Sequence, residues 1–338
     1  MNWYLQNGKD SDIVLSSRIR FSRNINGIPF TTKASEGDLE KVYNVMKDAS
    51  LTLGYGLKFM DFGSIDQMTK DALAERHIIS KEFANEAGKY RAIILNDDEN
   101  ICIEVNGEDH IKIQLFCSGM DLSNLLNLAI EIDNKIENTV PYSYHKKYGY
   151  LTACPTNVGT GLKASVLVHL PGLSVTKNTR KVLNVVNNLG MSIRGLYGEG
   201  SKVQGDMYQI SNNQTLGITE REILKNLNLI TQKVIEQERV ARKYLTKKTI
   251  ELEDKLYRDY GILTNARKLR EDETIELISS VKLGTDLGII KELNDTKVSE
   301  LILYTKTANL QKRLGKELSL YELQVERAKM VKQLINEN

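Results

Sequence analysis

Arg91-Ala-Ile-Ile-Leu-Asn-Asp-Asp-Glu-Asn-Ile-Cys-Ile-Glu-Val-Asn-Gly-Glu-Asp-His-Ile-Lys-Ile-Gln-Leu115 is the stretch on which the fold turns. Its three apolar runs, 91–96, 101–106 and 110–115, are separated by Asp97-Asp98-Glu99-Asn100 and by Gly107-Glu108-Asp109. Runs rich in isoleucine and valine, bounded by Asn, Asp and Gly, predict strands, and connectors this short predict antiparallel neighbours. The stretch therefore reads as an antiparallel meander. Carboxylates in a hairpin turn are ordinarily solvated, so composition alone gives Glu108 no role.

Outward from the meander, helices and strands alternate. Ser35 and Asp38 open a helix to about Ser50, with Leu39, Val42, Tyr43 and Met46 on one face, and a second helix fits 65–76, ahead of His77. Asp121 to Ile136 carries one apolar stripe. Ser165–Leu170 alternates as a half-buried strand, 177–189 reads as a helix stopped by Gly190, and Met191–Leu196 and Asp206–Ser211 read as strands. Hairpins among interspersed helices predict an α+β fold built on an antiparallel sheet. Thr219 and Glu222 form a capping box for a long helix to about Tyr244. From there to Asn338 the pattern is helical, with Lys282–Ile290 resembling a short interruption. The expected division is 1–244 and 245–338, the second part burying an apolar stripe against a second copy.

Composition narrows the functions open to the chain. Its 338 residues are 41% hydrophobic and 27% charged, ordinary for a soluble globular protein, and the net charge of +2 implies no bulk attraction to polyanions. Cys102, Cys117 and Cys154 fit neither a disulfide framework nor a zinc pattern, and four histidines argue against a multi-histidine metal centre. The N-terminus lacks a basic region followed by an apolar core, and no apolar run approaches the ~20 residues of a membrane helix. A cytoplasmic protein is expected.

Two stretches carry unusual chemistry. Cys154-Pro-Thr-Asn-Val-Gly-Thr-Gly-Leu-Lys163 sets a thiol, two glycines and a cation just before a strand. It reads either as a plain turn or as a concave anion site of backbone N–H groups. Residues 11–23 bring Arg18, Arg20 and Arg23 together; in an extended chain Arg18 and Arg20 share a face. That run reads either as a solvated edge strand or as an anion clamp, since the arginine fork suits phosphate.

Taken in order, Ser16-Ser17-Arg18-Ile19-Arg20, Glu108-Asp109-His110, Cys154–Gly161 and Arg194–Glu199 resemble the phosphagen (guanidino) kinases. Within that group the chain is most similar to the bacterial protein arginine kinases (the McsB family), and the likeness extends into Tyr257–Arg267 and Leu283–Ile290. The resemblance implies a guanidino kinase catalytic domain over 1–244, a dimerising or regulatory helical domain over 245–338, and ATP with Mg²⁺ as cofactor. A guanidinium is cationic and a poor nucleophile, so its phosphorylation needs carboxylates that orient it and accept a proton. The resemblance gives that work to Glu108, as general base, and Glu199, with Cys154 beside the guanidinium as an oxidation-sensitive thiolate. It assigns the nucleotide to Ser17, Arg18, Arg20, His77, Lys112, Lys163, Arg194, Gly195 and Gly198, and the substrate loop to Asn157, Gly159, Thr160 and Gly161. No residue is assigned as a metal ligand, because Mg²⁺ is held mostly by phosphates and water.

The chain also departs from the family. Gly107 stands where a second glutamate is usual, and Lys112 and Lys163 replace two arginines, keeping charge but losing the bidentate fork. Protein arginine kinases carry an Arg-Asp-x-x-Arg-Ala motif that binds phosphoarginine; here the run is Leu323-Gln324-Val325-Glu326-Arg327-Ala328, without its first half. The Ser-Ser-Arg-Ile-Arg motif begins at Ser16, so the N-terminal lid domain of kinases acting on free arginine is expected to be missing. The resemblance implies stress-response substrates (a transcriptional repressor and aberrant proteins bound for an AAA+ protease) and a zinc-binding activator protein. A free-arginine kinase and a catalytically weakened scaffold remain as alternatives.

Overall fold

The run 91–115 forms three consecutive antiparallel strands within a larger sheet. The computed structural model describes residues 2–195, 203–247 and 249–336. In chain order the elements begin β1 (Val14–Arg23), α1 (Glu36–Ser50), β2 (Lys58–Asp61), α2 (Gln67–Glu75) and α3 (Lys81–Asn85). The meander follows as β3 (Ala92–Leu95), β4 (Ile101–Val105) and β5 (Ile111–Ser118), then α4 (Leu122–Glu137), β6 (Tyr144–His145), β7 (Gly149–Tyr150) and β8 (Leu162–His169). Next come α5 (Pro171–Val175), α6 (Thr179–Asn188), β9 (Met191–Gly195), β10 (Met207–Asn212) and α7 (Glu220–Leu245). The remainder is helical: α8 (Thr249–Asn265), α9 (Glu271–Asp286), α10 (Asp295–Tyr304), α11 (Thr307–Leu314) and α12 (Leu320–Asn336). Both expected capping boxes form, Ser35 with Asp38 and Thr219 with Glu222.

Among the described residues eight strands make one antiparallel sheet in the order β2-β3-β4-β5-β1-β8-β10-β9. β1 is thus a central strand, paired on both sides with β5 and β8. The solvated-edge reading of its arginines fails for that reason. Side-chain alternation divides the sheet into two unlike faces. Ile19, Phe21, Ile113, Ala164, Val166 and Ile210 point to the face covered by α4 and α7, whose Leu125, Ile132, Leu227 and Ile235 complete the main core. The opposite face carries Arg18, Arg20 and their neighbours, with a small apolar cluster of Phe62, Phe83, Ile93 and Phe116 toward the meander.

Arg23 belongs to the covered side and is 1% exposed. Its guanidinium holds Asp133 (2.6 Å), donates to Thr160 O (2.9 Å) and lies 3.7 Å above the Tyr150 ring. It is a structural residue, not part of an anion clamp.

Helices α8–α12 bury a separate core that includes Leu256, Leu263, Ile278, Leu301, Leu310 and Val331. The interruption expected over Lys282–Ile290 is displaced. α9 runs through Asp286, and Gly284 lies in it because Ile290 packs where a Cβ would stand, 2.7 Å away. The chain reverses only at Gly288 (φ +70°).

Among the contacts that join the helical unit to the sheet are two clusters of ion pairs and hydrogen bonds. At the end of α7, Arg242 pairs with Glu238 (2.7 Å) and with Asp286 of α9 (3.0 Å), while the Glu238 carboxylate accepts from Gly172 N (2.8 Å) and Leu173 N (2.9 Å) of α5. At the end of α2, the Glu75 carboxylate accepts from Ala308 N (2.8 Å) and Asn309 N (2.9 Å) of α11.

Candidate active site

The uncovered face of the sheet concentrates positive charge. Arg20 lies opposite Lys163 of β8 and Gln114 of β5, and Arg18 lies opposite Ser165 and Phe116. Ser22 stands opposite Lys112, and Arg194 of β9 stands opposite Gln209 of β10. Directly opposed side chains start about 5 Å apart, so these cations repel one another. Burial and then Arg20, Arg194 and Arg18 pull the Lys163 ammonium down to about 8. Burial and Arg20 lower the Arg18 guanidinium to about 10, still charged at neutral pH.

The five cations are not equivalent. Lys112 meets the buried Glu104 carboxylate at 2.5 Å, and Gln114 Nε2 donates to the same carboxylate at 2.7 Å. Lys112 is therefore compensated. No ion pair of Arg18, Arg20 or Lys163 occurs among the described residues; Lys163 Nζ donates only to the carbonyl of Asn212. A half-buried array of uncompensated cations suits a polyanion.

Ser17 does not join them. It alternates onto the covered face, buried, with Oγ donating to Gly119 O at 2.7 Å. Ser16 takes its place beside Arg18 on the wall of a cavity of ≈ 150 Å³ that also holds His77 and Ser165. His77 has a left-handed backbone (φ +61°), and burial, then Lys306 and Arg18, hold its imidazole well below the ordinary range, so it is neutral. Arg20, two residues along β1, borders instead a cleft of ≈ 710 Å³ with Glu104, Gly107, Glu108 and Lys112. Gly195 closes β9, where a Cβ would lie 3.1 Å from Val203. Glu199 and Gly198 lie outside the described residues.

The Cys154 loop is held rigidly. Cys154 is half-buried, with Sγ 3.0 Å from Thr156 Oγ1. Pro155–Asn157 forms one tight helical turn with Asn157 buried. Gly159 (φ +116°) presses its backbone on Thr215 O, 2.2 Å from where a Cβ would stand, and Gly161 (φ +64°) faces the Arg23 guanidinium. Thr160 N donates to Thr215 O, and Thr215 Oγ1 donates to Thr156 O (2.9 Å) and Val158 O (2.8 Å).

Asp109, which composition does not single out, ties this loop to the hairpin. Its buried Oδ1 accepts from Ala153 N and from Asn24 Nδ2, both at 2.7 Å. His110 is locked as well, accepting from Ile25 N at Nδ1 (3.0 Å), with Nε2 at 2.9 Å from Pro29 O. Exposed Glu108 and half-buried Cys154 are thus each one residue from a shared hydrogen bond.

Comparison with known proteins decides the family. The model of the ATP:guanido phosphotransferase C-terminal catalytic domain matches residues 38–241, and that of the protein-arginine kinase McsB C-terminal domain matches 249–338. The chain belongs to the protein-arginine kinase family. A protein-arginine kinase of Halothermothrix orenii is 42% identical, covering 99% of this chain and 96% of the relative. One of Clostridium novyi is 42% identical, covering 98% and 97%. Among solved structures, the duplicated taurocyamine kinase of Schistosoma mansoni with bound transition-state-analogue components superposes with TM-score 0.62 at 28% identity, over 69% of this chain and 34% of that one. A lombricine kinase gives 0.59 at 26%, over 69% and 68%.

For a protein-arginine kinase, this chain's departures have local physical counterparts. A Cβ at Gly107 would sit 3.0 Å from the Phe83 ring, so a side chain there requires that ring to move. In the run 323–328, Leu323 packs against the helical core, and Arg327 donates to Thr305 O (2.6 Å), Leu269 O (3.0 Å) and Thr307 Oγ1 (2.9 Å).

Proposed function

We infer that this chain transfers the γ-phosphoryl group of ATP to arginine side chains of proteins. The observation that carries the reading is the uncompensated row Arg18, Arg20 and Lys163, which leads from the small cavity to the cleft bearing Glu108. Charge spread over a transferring phosphoryl group is stabilised by fixed cations, and little covalent work is left to the protein. The row, with Arg194, is suited to the triphosphate. Lys112 serves through Glu104, fixing the edge of the cleft.

On the acceptor side, a guanidinium nitrogen attacks the γ-phosphorus while the bond to the β-phosphate oxygen breaks, and ADP leaves. The proton lost from that nitrogen passes to the Glu108 carboxylate. Asp109 ties the hairpin beside Glu108 to the Cys154 loop, and His110 anchors the same hairpin to Ile25 and Pro29. Glu199 is the second carboxylate in this reading. Among the described residues no three His, Cys, Asp or Glu side chains converge as a metal cage. A magnesium ion carried by the phosphates fits that donor set and would supply further neutralising charge.

The ≈ 710 Å³ cleft supports an acceptor presented on a protein over free arginine. The separate cores of the sheet and of α8–α12 support two working units, 1–244 and 245–338. Exposed Ile250 (80%), Leu320 (75%) and Tyr321 (65%) on the second support a homodimer. No described helix is long and apolar enough to cross a membrane, which suits a cytoplasmic enzyme. The family likeness supports a repressor and aberrant proteins as substrates, an AAA+ protease downstream, and a zinc-binding activator.

The test is incubation with Mg·ATP and an arginine-rich protein, with free arginine in parallel, followed by mass spectrometry for acid-labile phosphate. Label on protein arginine, lost in Glu108→Gln, supports the reading. Label on free arginine alone moves it to a phosphagen-type enzyme. Nucleotide binding without transfer to either acceptor would mean a scaffold.

A further inference from the structure

We propose that the C-terminal helical unit supplies the outer wall of the nucleobase pocket, so that Ile302 and Leu303 of α10 contact the base of the donor nucleotide. This rests on the kinase reading above and adds to it the residues that set base affinity. The ≈ 150 Å³ cavity beside Arg18 is lined on the sheet side by Phe116, Leu167 and Met207, with Trp3 next to them, and on the far side by Ser299, Ile302, Leu303 and Lys306. It joins Arg18 of the cation row to a lining that is otherwise largely apolar and aromatic. A nucleoside triphosphate has the same polarity, a polyanion joined to a flat heterocycle. Neutral His77 at the junction adds an uncharged planar edge.

The far wall is fixed, not loosely apposed. The corner between α10 and α11 is clamped from within the helical unit by Arg327, through Thr305 O and Thr307 Oγ1, and by Glu271, which accepts from Thr307 N at 3.1 Å. From the catalytic side, Glu75 O accepts from Lys306 Nζ at 3.0 Å, and Arg76 Nη1 donates to Asn309 Oδ1 at 2.8 Å. Glu75 and Arg76, which grip the helical unit, immediately precede His77, which lines the pocket. A composite pocket held from both sides joins base recognition to docking of the helical unit. Contacts to the base are the same in ground and transition states, so they act on nucleotide affinity and KM rather than on kcat.

Trp3 is the only tryptophan of the chain, and it stacks on Phe116 with ring centroids 5.5 Å apart at 15°. Its emission reports on the pocket. The full-length protein is titrated with ADP and with inorganic tripolyphosphate, which can occupy the cation row but not the slot. ADP should change Trp3 emission and tripolyphosphate should not, although calorimetry detects both binding. Ile302→Ala, which removes wall contacts, should weaken ADP about 10-fold and leave tripolyphosphate unchanged. Ser299→Phe, which fills the slot without removing packing from α10, should do the same by obstruction. The KM for ATP should rise in step at constant kcat. ADP affinity unchanged in both variants would overturn the proposal, as would equal losses for ADP and tripolyphosphate. Failure of the wild type to bind either probe would instead remove the kinase reading itself.

Discussion

On the proposed function, Lys163 makes nucleotide binding a proton-uptake reaction. In the empty site its ammonium titrates at about 8, because burial and the neighbouring arginines disfavour the charge. A bound polyphosphate supplies the missing counter-charge and moves the group back toward the ordinary lysine value of about 10.4. The folded protein with ligand thus has the higher pKa, so binding strength is full below about 8 and declines as pH rises through it. At pH 9 about one empty site in ten keeps its proton, which sets an affinity loss of about 10-fold per pH unit, or ~1.4 kcal/mol, until the bound value is reached. The phosphates do not confuse this window, since their last protons are lost near pH 6. Calorimetry of metal-free ADP at pH 8.5, in two buffers of different ionisation enthalpy, should show most of one proton taken up. Lys163→Arg should bind ADP with almost no proton uptake at pH 8.5 and a flat profile from pH 7 to 9. Zero uptake in the wild type, or equal uptake in the arginine variant, would refute the assignment of this lysine to the phosphate row.

Three further outcomes follow from the geometry. Asp109→Asn should lower kcat by about 100-fold with KM for ATP unchanged, because it loosens Glu108 and Cys154 relative to each other but leaves the cation row alone; steady-state kinetics separates the two. Arg23→Met strands the buried Asp133 carboxylate and should cost about 3–5 kcal/mol of stability, read by urea unfolding. Gly159→Ala must force the loop away from Thr215 O. Protein arginine phosphorylation should fall sharply while far-UV circular dichroism and ADP affinity hold.

The sequence was most legible where structure is local. The meander and both capping boxes depend on neighbours within a few residues, and all are present. Parity alone separates Arg18 and Arg20 from Ser17 and Arg23, yet the partner of Arg23 lies 110 residues away in α4 and has no local signature. For β1 a solvated edge and an anion clamp both stay open, because a ligand-facing row of arginines and a water-facing one have the same pattern; only strands β5 and β8 on either side distinguish them. The pairing of Lys112 with Glu104 needs the β4–β5 register, and the role of Asp109 needs a loop more than 40 residues downstream. Lys282–Ile290 misled because a glycine admitted for close helix packing looks like a helix breaker.

Helix α7 has a consequence for how this architecture can vary. Its 26 residues form a rod of roughly 39 Å that begins on the sheet with Ile223 and ends in the helical core with Leu245. One residue inserted after Ile235 would turn everything beyond it by about 100° and advance it by about 1.5 Å. Glu238 would leave the α5 backbone, Arg242 would leave Asp286, and the α10 wall would swing away from Arg18. Adding four residues nearly restores the rotation but shifts the unit by about 6 Å. Substitutions on the solvent side of α7, at Leu229 or Val240, carry no such penalty. Between Ile235 and Arg242 the chain can therefore change its letters freely on one side but cannot change its length, and chimaeras joined there will work only when both parents keep the same count.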